Sequence, residues 1–409
     1  MEKIRFIHCA DLHLGSPFKG MTNIPKGLLK DIRESTYKAF ETLTNIAMEE
    51  KVDFLLISGD VFDEDARSLT SQIRFRKECQ KLHAKGIEVF VQHGNHDHLS
   101  GDYFPVDYPP NVKIFETENV TTKPFFKNNL HVASIHGFSY ERRSLYDNKA
   151  LEFNKEFNEA FQIAMLHGSL ATNTDHDVYA PFQKMDLLQQ GFDYWALGHI
   201  HKQQILNEDP PIVYPGNIQG RHRKEQGEKG AFLVELSKNH PPVMNQIFVQ
   251  DILFETLEYN LNQYSTLEEW MDFFHKEKEE LKRDHGKMVI SLKLIGDGQL
   301  EKRLKDPHAR MEFLDLLNDG EDQDDLWIWV DQFQMEFRQE WDREELAHHS
   351  HFIGELIRMN NEEPPSQDLL SPITKHSIGR KYIQEITDED WRELIREAEF
   401  ELLEALLEE

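Results

Sequence analysis

Nine side chains able to hold a metal ion or move a proton fall into five short clusters: Asp11-Leu12-His13, Gly59-Asp60, Gly94-Asn95-His96-Asp97, His167-Gly168 and Gly198-His199-Ile200-His201. Any one of these is common by chance; five in this order are not. Residues two apart on an extended chain point the same way, so Asp11 with His13, and His199 with His201, each form a chelating pair. A glycine before Asp60, Asn95 and His199 lets the backbone approach a bound ion closely. Imidazole mixed with carboxylate oxygen suits Mn, Fe or Zn better than Mg or Ca, and the lack of a thiolate in the set speaks against a soft metal.

For these side chains to meet, the strands that carry them must end on one edge. The first half of the chain has that rhythm. IRFIHCA, a helix over about 28–50 and VDFLLISGD make a βαβ unit, followed by a helix at 68–85 and the strand IEVFVQHG. β-like pieces around LHVASIHGF, a helix near 144–160 and the strands FQIAMLHG, FDYWALGHI, PIVYPG and GAFLVELS continue it. The main strands are almost continuously apolar, as strands covered on both faces are, which predicts layered sheets between helices with the metal-type residues at the strand C-termini.

A chain of 409 residues exceeds one usual core, and a second domain with a shorter appendage is expected. The composition changes near residue 250, where NHPPV is read as closing the strand-rich part. The expected division is a catalytic domain over 1–250, a small α+β domain over 251–345, and a linker with an acidic helical segment over 346–409. In the last segment Trp391, Leu394, Ile395, Ala398, Leu402, Leu403 and Leu406 recur at helical spacing. That stripe needs a partner surface, either another protein or the chain's own second domain. No run approaches the roughly 18 apolar residues of a membrane span, and no signal peptide is visible. Two cysteines, Cys9 and Cys79, are too few for a disulfide framework, so a cytoplasmic protein is expected. The net charge of −28 argues against nucleic acid only until it is divided. Residues 1–250 carry 28 basic and 33 acidic side chains, whereas 251–409 carry 18 and 41, so the acidity belongs to the second half.

The set D-x-H, GD, GNHD, H-G and GHxH resembles the calcineurin-like metallophosphoesterase superfamily over roughly residues 1–240. The resemblance implies a four-layer α-β-β-α sandwich and two divalent ions, most readily Mn, with Fe or Zn as alternatives. It implies one ion on Asp11, His13, Asp60 and His201, and the second on the shared Asp60 with Asn95, His167 and His199. His96 would be the catalytic histidine that contacts the scissile phosphate and assists the leaving oxygen, with Asp97 orienting it. Two ions about 3.5–4 Å apart allow in-line hydrolysis of a phosphoester without a covalent enzyme intermediate.

FIHCADLHLGSPF, VDFLLISGDVFD, IEVFVQHGNHD, WALGHIHKQQI and YPGNIQG are similar to the SbcD-type DNA repair exonucleases, and the whole chain is similar to the YhaO branch of Firmicutes. This implies a DNA exonuclease or endonuclease subunit in repair, a capping domain after the catalytic half, an SbcC-like coiled-coil ATPase docked on C-terminal helices, and a homodimer. Asp63 stands where such nucleases often have His, and Tyr214-Pro215-Gly216-Asn217 replaces a YPGS segment. Both departures bear on substrate rather than on metal. Two other readings therefore stand beside the nuclease: a phosphodiesterase on cyclic or small nucleotides, which the acidic second half favours, and a weakly catalytic metal-binding scaffold of an ATPase complex. Arg142, Arg143, Arg221, Arg223 and Lys224 are candidate phosphate contacts; the last three follow YPGNIQG, near the metal-bearing strand ends, with a solvated loop as the alternative. His8 and Cys9 read as structural, His93 and His98 as either structural or substrate-facing, and the His-rich run at 348–351 as solvated linker.

Overall fold

The computed structural model describes residues 3–18, 24–63, 67–155, 160–172, 179–296, 304, 306–337, 343–348, 352–362, 365–374 and 388–407. They fall into two compact units, 1–336 and 337–409.

In the first unit, β1 (Lys3–Cys9), β2 (Phe54–Ser58), β3 (Glu88–Gln92) and β4 (Val112–Ile114) run parallel, and β11 (Gly230–Ser237) and β12 (His240–Phe248) extend the sheet antiparallel on the β1 side. A second sheet has the order β5 (Thr121–Lys127), β6 (Leu130–Gly137), β7 (Phe161–His167), β8 (Tyr194–Gly198), β10 (Pro211–Tyr214), β9 (Gln204–Glu208), with β6, β7, β8 and β10 parallel. Period-two alternation divides each strand between two cores. Ile7, Cys9, Leu55 and Ile57 meet α1 (Lys26–Glu49) and α2 (Leu69–Ala84), while Ile4, Phe6, Phe54 and Leu56 meet Ile135, Ile163, Met165 and Tyr194 across the two sheets. The outer face of the second sheet is closed by Phe138, Phe153, Phe192 and Trp195 with the short α3 (Lys184–Gln190). The result is the expected four-layer α-β-β-α sandwich. His8 is buried between the sheets, Nδ1 2.9 Å from Tyr194 Oη and Nε2 3.0 Å from the Leu197 carbonyl, so it is structural, as its position predicts.

Two sequence expectations fail here. Over its described residues 144–155, the helix expected near 144–160 is instead a bend followed by one 3-10 turn at Lys149–Glu152, started by the Asn148 side chain accepting from Ala150 N; residues 156–159 lie outside the described residues. Its apolar residues Leu145, Ala150 and Phe153 enter the outer core one by one rather than along a helical stripe. NHPPV does not end the sheet either; it opens β12, where Pro241 and Pro242 are tolerated because the strand lies on an edge.

After residue 250 the chain forms a third sheet, in the order β13 (Ile252–Asn260), β14 (Lys287–Gly296), β15 (Ile328–Phe337). Helix α4 (Leu267–His285) joins the parallel pair β13 and β14; Thr266 caps it by accepting from Glu269 N, and Gly286 ends it at φ 75°. Trp270 and Phe274 of α4, with Phe313 and Leu317 of α5 (Pro307–Leu317), cover one face of this sheet. Ile252, Phe254, Val289 and Trp327 pack against Phe18, Leu28 and Ile32, and Asp31 of α1 accepts from Lys287 Nζ (2.5 Å) and Trp327 Nε1 (3.3 Å).

In the second unit α6 (Arg343–His348), α7 (Phe352–Glu362), α8 (Ser371–Thr374) and α9 (Asp388–Leu407) are helical. The Arg343 guanidinium grips both carboxylate oxygens of Glu399 at 2.6 and 2.9 Å, and Ile357 and Leu403 are buried. Residues 349–351 of the His-rich run lie outside the described residues. No helix among the described residues is long and apolar enough to cross a membrane.

Candidate metal centre

The parallel strands of both sheets deliver their C-termini to one edge, and the polar clusters are the residues that follow them. Asp11, His13, Asp60 and His199 all have positive φ, at 51°, 42°, 50° and 93°. Such conformations cost about 1–3 kcal/mol each and persist where surroundings over-determine them. Asp11 N donates to Gly59 O (3.1 Å), His13 N to Asp60 O (3.0 Å), and His199 N to both oxygens of Asp11 (3.1 and 3.2 Å), so the strained loops hold one another. The glycines act differently from the sequence expectation. A Cβ on Gly59 or Gly94 would collide with the His167 ring, and one on Gly198 with the Ser58 carbonyl: they make room for protein groups rather than for an ion.

Two clusters of donors result. Ligand atoms of Asp11, Asp60 and His167 lie within 4.8 Å of one another, as do those of Asp11, His13 and His201. In the first, His167 Nδ1 donates to Ser58 O at 2.9 Å, which leaves Nε2 facing Asn95 Oδ1 (3.0 Å) and Asp60 Oδ2 (3.5 Å). The His199 ring stands beside it, centroids 5.3 Å apart. In the second, His201 Nε2 is 3.1 Å from His13 Nε2, while His201 Nδ1 meets Glu225 Oε1 at 2.7 Å and His13 Nδ1 meets Asp63 Oδ1 at 3.0 Å. A third group, His13, Asp63 and His96, adjoins them.

The electrostatics fit divalent cations. Burial, with Asp60 adding, pushes the Asp11 carboxyl up. Burial opposes ionisation of Asp60 too, yet the His167 imidazolium holds it well below the usual range. Burial would lower His167, but Asp60 and Asp11 overcome it and raise it to about 9. Burial pushes His13 down to about 3 and lowers His201, so both are neutral with a lone pair to give. Near neutral pH the Asp11 carboxyl, pushed up to about 8, holds a proton while one imidazolium offsets Asp60, and neutral imidazoles stand alongside; these are metal donors whose protons a cation would displace.

His96 lies at the rim, its backbone N–H donating to Asp60 Oδ1 (3.0 Å) and its ring Nδ1 3.1 Å from the Asp63 carbonyl. The expectation that Asp97 orients His96 is corrected. The buried Asp97 carboxylate accepts from Gly94 N (2.8 Å) and Val61 N (3.0 Å) and meets His93 Nδ1 (2.8 Å). In so tight a loop adjacent side chains diverge, and Asp97 fixes the loop rather than the ring. This also makes His93 structural. Arg67, which the sequence did not single out, is buried and donates to the Asp97 and His98 carbonyls.

Of the three basic candidates after YPGNIQG, only Arg221 reaches the centre: it pairs with Asp63, and its Nη2 is 3.3 Å from His201 Nδ1. Arg223 turns to Gln332 of the third sheet (Nη1 to Oε1 2.7 Å), and Lys224 is exposed. Glu225 was missed as well. Its carboxylate accepts from Asn217 Nδ2 and Arg221 N (both 2.8 Å) while holding His201, and His201 with Arg221 keeps it ionised against burial. The only signal in sequence was its place in the segment after the YPGS-like departure.

Residues 4–203 match the calcineurin-like phosphoesterase family. The metallophosphoesterase YhaO of Bacillus subtilis is 35% identical over 401 residues, 98% of this chain and 97% of that protein. The DNA double-strand break repair protein Mre11 of Sulfurisphaera tokodaii is 29% identical over 261 residues, 59% of this chain and 62% of that protein. Mre11 of Thermoplasma acidophilum is 25% identical over 320 residues, covering 73% and 79%.

Proposed function

The chain belongs to the calcineurin-like phosphoesterase family and is a metal-dependent phosphoesterase, and from that premise we propose that it hydrolyses phosphodiester bonds in DNA with two divalent ions, as a nuclease subunit in DNA repair. The observation that carries this reading is the joining of two donor clusters through Asp11, with Asp60 Oδ2 3.9 Å from His13 Nε2, beside a rim histidine. The relatives named for double-strand break repair supply the choice of DNA.

Asp11, His13, Asp60 and His201 would hold one ion, and Asp60, Asn95, His167 and His199 the other, most readily manganese. When bound, the ions supply Lewis acidity to the phosphoryl oxygens and lower the pKa of water. The Asp63 carbonyl, by accepting from His96 Nδ1–H, leaves Nε2 for the substrate, and the doubly protonated ring would give its Nε2 proton to the leaving oxygen as the ester bond breaks. Asp97 acts as a positioning residue through the Gly94–Asn95–His96 loop. Arg221, screened by Asp63, is a cation available to a non-bridging phosphate oxygen. Residues 251–345 act as a cap over the catalytic part. The helices of 346–409 dock on an SbcC-like coiled-coil ATPase in the cytoplasm; on them Phe352, Met359, Leu394 and Leu402 are exposed and available to such a partner.

The test is digestion of end-labelled linear DNA with added manganese, beside bis-p-nitrophenyl phosphate, by wild type and His96→Ala. Wild type cuts both, and the variant is slower by about 10²-fold or more. Cleavage of the small ester alone would favour a small-nucleotide substrate. Cleavage of neither, with metal bound, would favour a scaffold.

A further inference from the structure

Between β6 and the 3-10 turn the chain crosses the rim of the metal centre, tied at both ends. At one end Tyr140 N donates to His93 O (3.1 Å), Leu99 N to Tyr140 O (2.8 Å) and Ser100 N to Glu141 O (3.2 Å), so the strand exit lies against the loop that carries His96. Tyr140 itself is buried, its hydroxyl donating to the His167 carbonyl at 2.7 Å. At the other end Ala180 N donates to Leu145 O (2.6 Å), beside Tyr179, whose ring meets His199 at 5.5 Å and 75°. The residues between the ties face water. Arg142 and Arg143 are exposed, and Tyr146 is 71% exposed with its ring 6.2 Å from Tyr179 at 36°. Ring contacts thus run from His199 through Tyr179 to the exposed Tyr146, and the two exposed arginines precede Tyr146 in sequence by three and four residues. Glu118 accepts from the Glu141 N–H, and the exposed carboxylates of Glu141 and Asp147 flank the stretch on either side.

Two adjacent exposed arginines and an exposed tyrosine thus fall within residues 142–146, beside the loop that carries His96, on a chain whose net charge is −28. Stacking rings beside cations are how single-stranded nucleic acid is held without regard to sequence. We propose that Arg142, Arg143 and Tyr146 form a strand-holding rim, in which a base next to the scissile phosphate stacks on Tyr146 and the flanking phosphates meet the two arginines. This rests on the DNA reading above and adds to it that the substrate enters single-stranded on the Tyr179 side of the centre.

The test is fluorescence anisotropy of a labelled single-stranded oligonucleotide with the full chain, in manganese and in the His96→Ala background to suppress cleavage. Adding Tyr146→Ala weakens binding about tenfold, and Tyr146→Trp restores it. The Arg142→Ala/Arg143→Ala pair lowers the slope of log Kd against log salt by about 1.4. Unchanged melting temperatures confirm that each variant folds. If the parent binds and these variants bind equally well with the same slope, the rim is overturned while the DNA reading stands. If the parent binds no oligonucleotide, the DNA reading falls and the rim with it. Displacement by a mononucleotide as effective as by the oligonucleotide contradicts the strand-holding role.

Discussion

The two halves of the metal centre are secured by different means. His167 is fully buried and its Nδ1 is held by the backbone carbonyl of Ser58, a fixture of the sheet; glycines at 59 and 94 make the room its ring occupies. His201 is partly exposed, and its Nδ1 is held by the carboxylate of Glu225, on a loop outside either sheet. That loop faces two ways: Asn217, Arg221 and Glu225 turn to the centre, while Gln219, Arg223 and Gln226 bond to Ile252 O, Gln332 and Thr256 of the third sheet. One half is therefore set by the fold. The other depends on ionised side chains and on the third sheet.

The largest effect should come from Asp60, the residue proposed to serve both ions, whose Oδ2 lies 3.9 Å from His13 and 3.5 Å from His167. Asp60→Asn removes charge from each ion, and kcat/KM on bis-p-nitrophenyl phosphate should fall on the order of 10³-fold. Glu225→Gln separates the halves: one ion should bind about 10- to 100-fold more weakly while the other is retained, seen as two well-resolved steps in a calorimetric titration. Equal weakening of both would show that the halves are not independent. The buried half should show proton competition. His167 has its pKa raised to about 9, so below that pH a cation must displace its proton; affinity should climb roughly tenfold per pH unit from 6 to 8, with a proton released at pH 7. Calorimetry in buffers of different ionisation heat measures that release, and none would mean His167 is neutral before metal arrives. The smallest effect lies farthest away. Asp31 is held below its ordinary value of 3.8 by the Lys287 and Trp327 hydrogen bonds, against burial. Its stabilisation is present above that value and lost as pH falls below it, so Asp31→Asn should cost about 1 kcal/mol or less at neutral pH and nothing in acid, with metal binding unchanged.

The same contrast explains what was legible in sequence. Asp11, His13, Asp60, His167, His199 and His201 could be singled out because metal chemistry restricts their types, and the parallel strands bring them to one edge. The four layers followed from strands apolar on both faces. Asp63 was seen only as a departure, and Glu225 not at all, because partners supplied by loops carry no period or motif. Asp97 was misassigned because adjacency within a tight loop does not give side-chain direction. The helix near 144–160 failed because three buried apolar residues there serve separate contacts, and Pro241-Pro242 concealed an edge strand because proline marks strand ends as often as edges.

The most direct test of the two-ion account is to add manganese stepwise to metal-free protein while counting bound ions and following hydrolysis of bis-p-nitrophenyl phosphate. The account predicts two ions per chain, with activity rising as the second, weaker one binds. Full activity with one ion bound, or two ions bound with no hydrolysis, would contradict it.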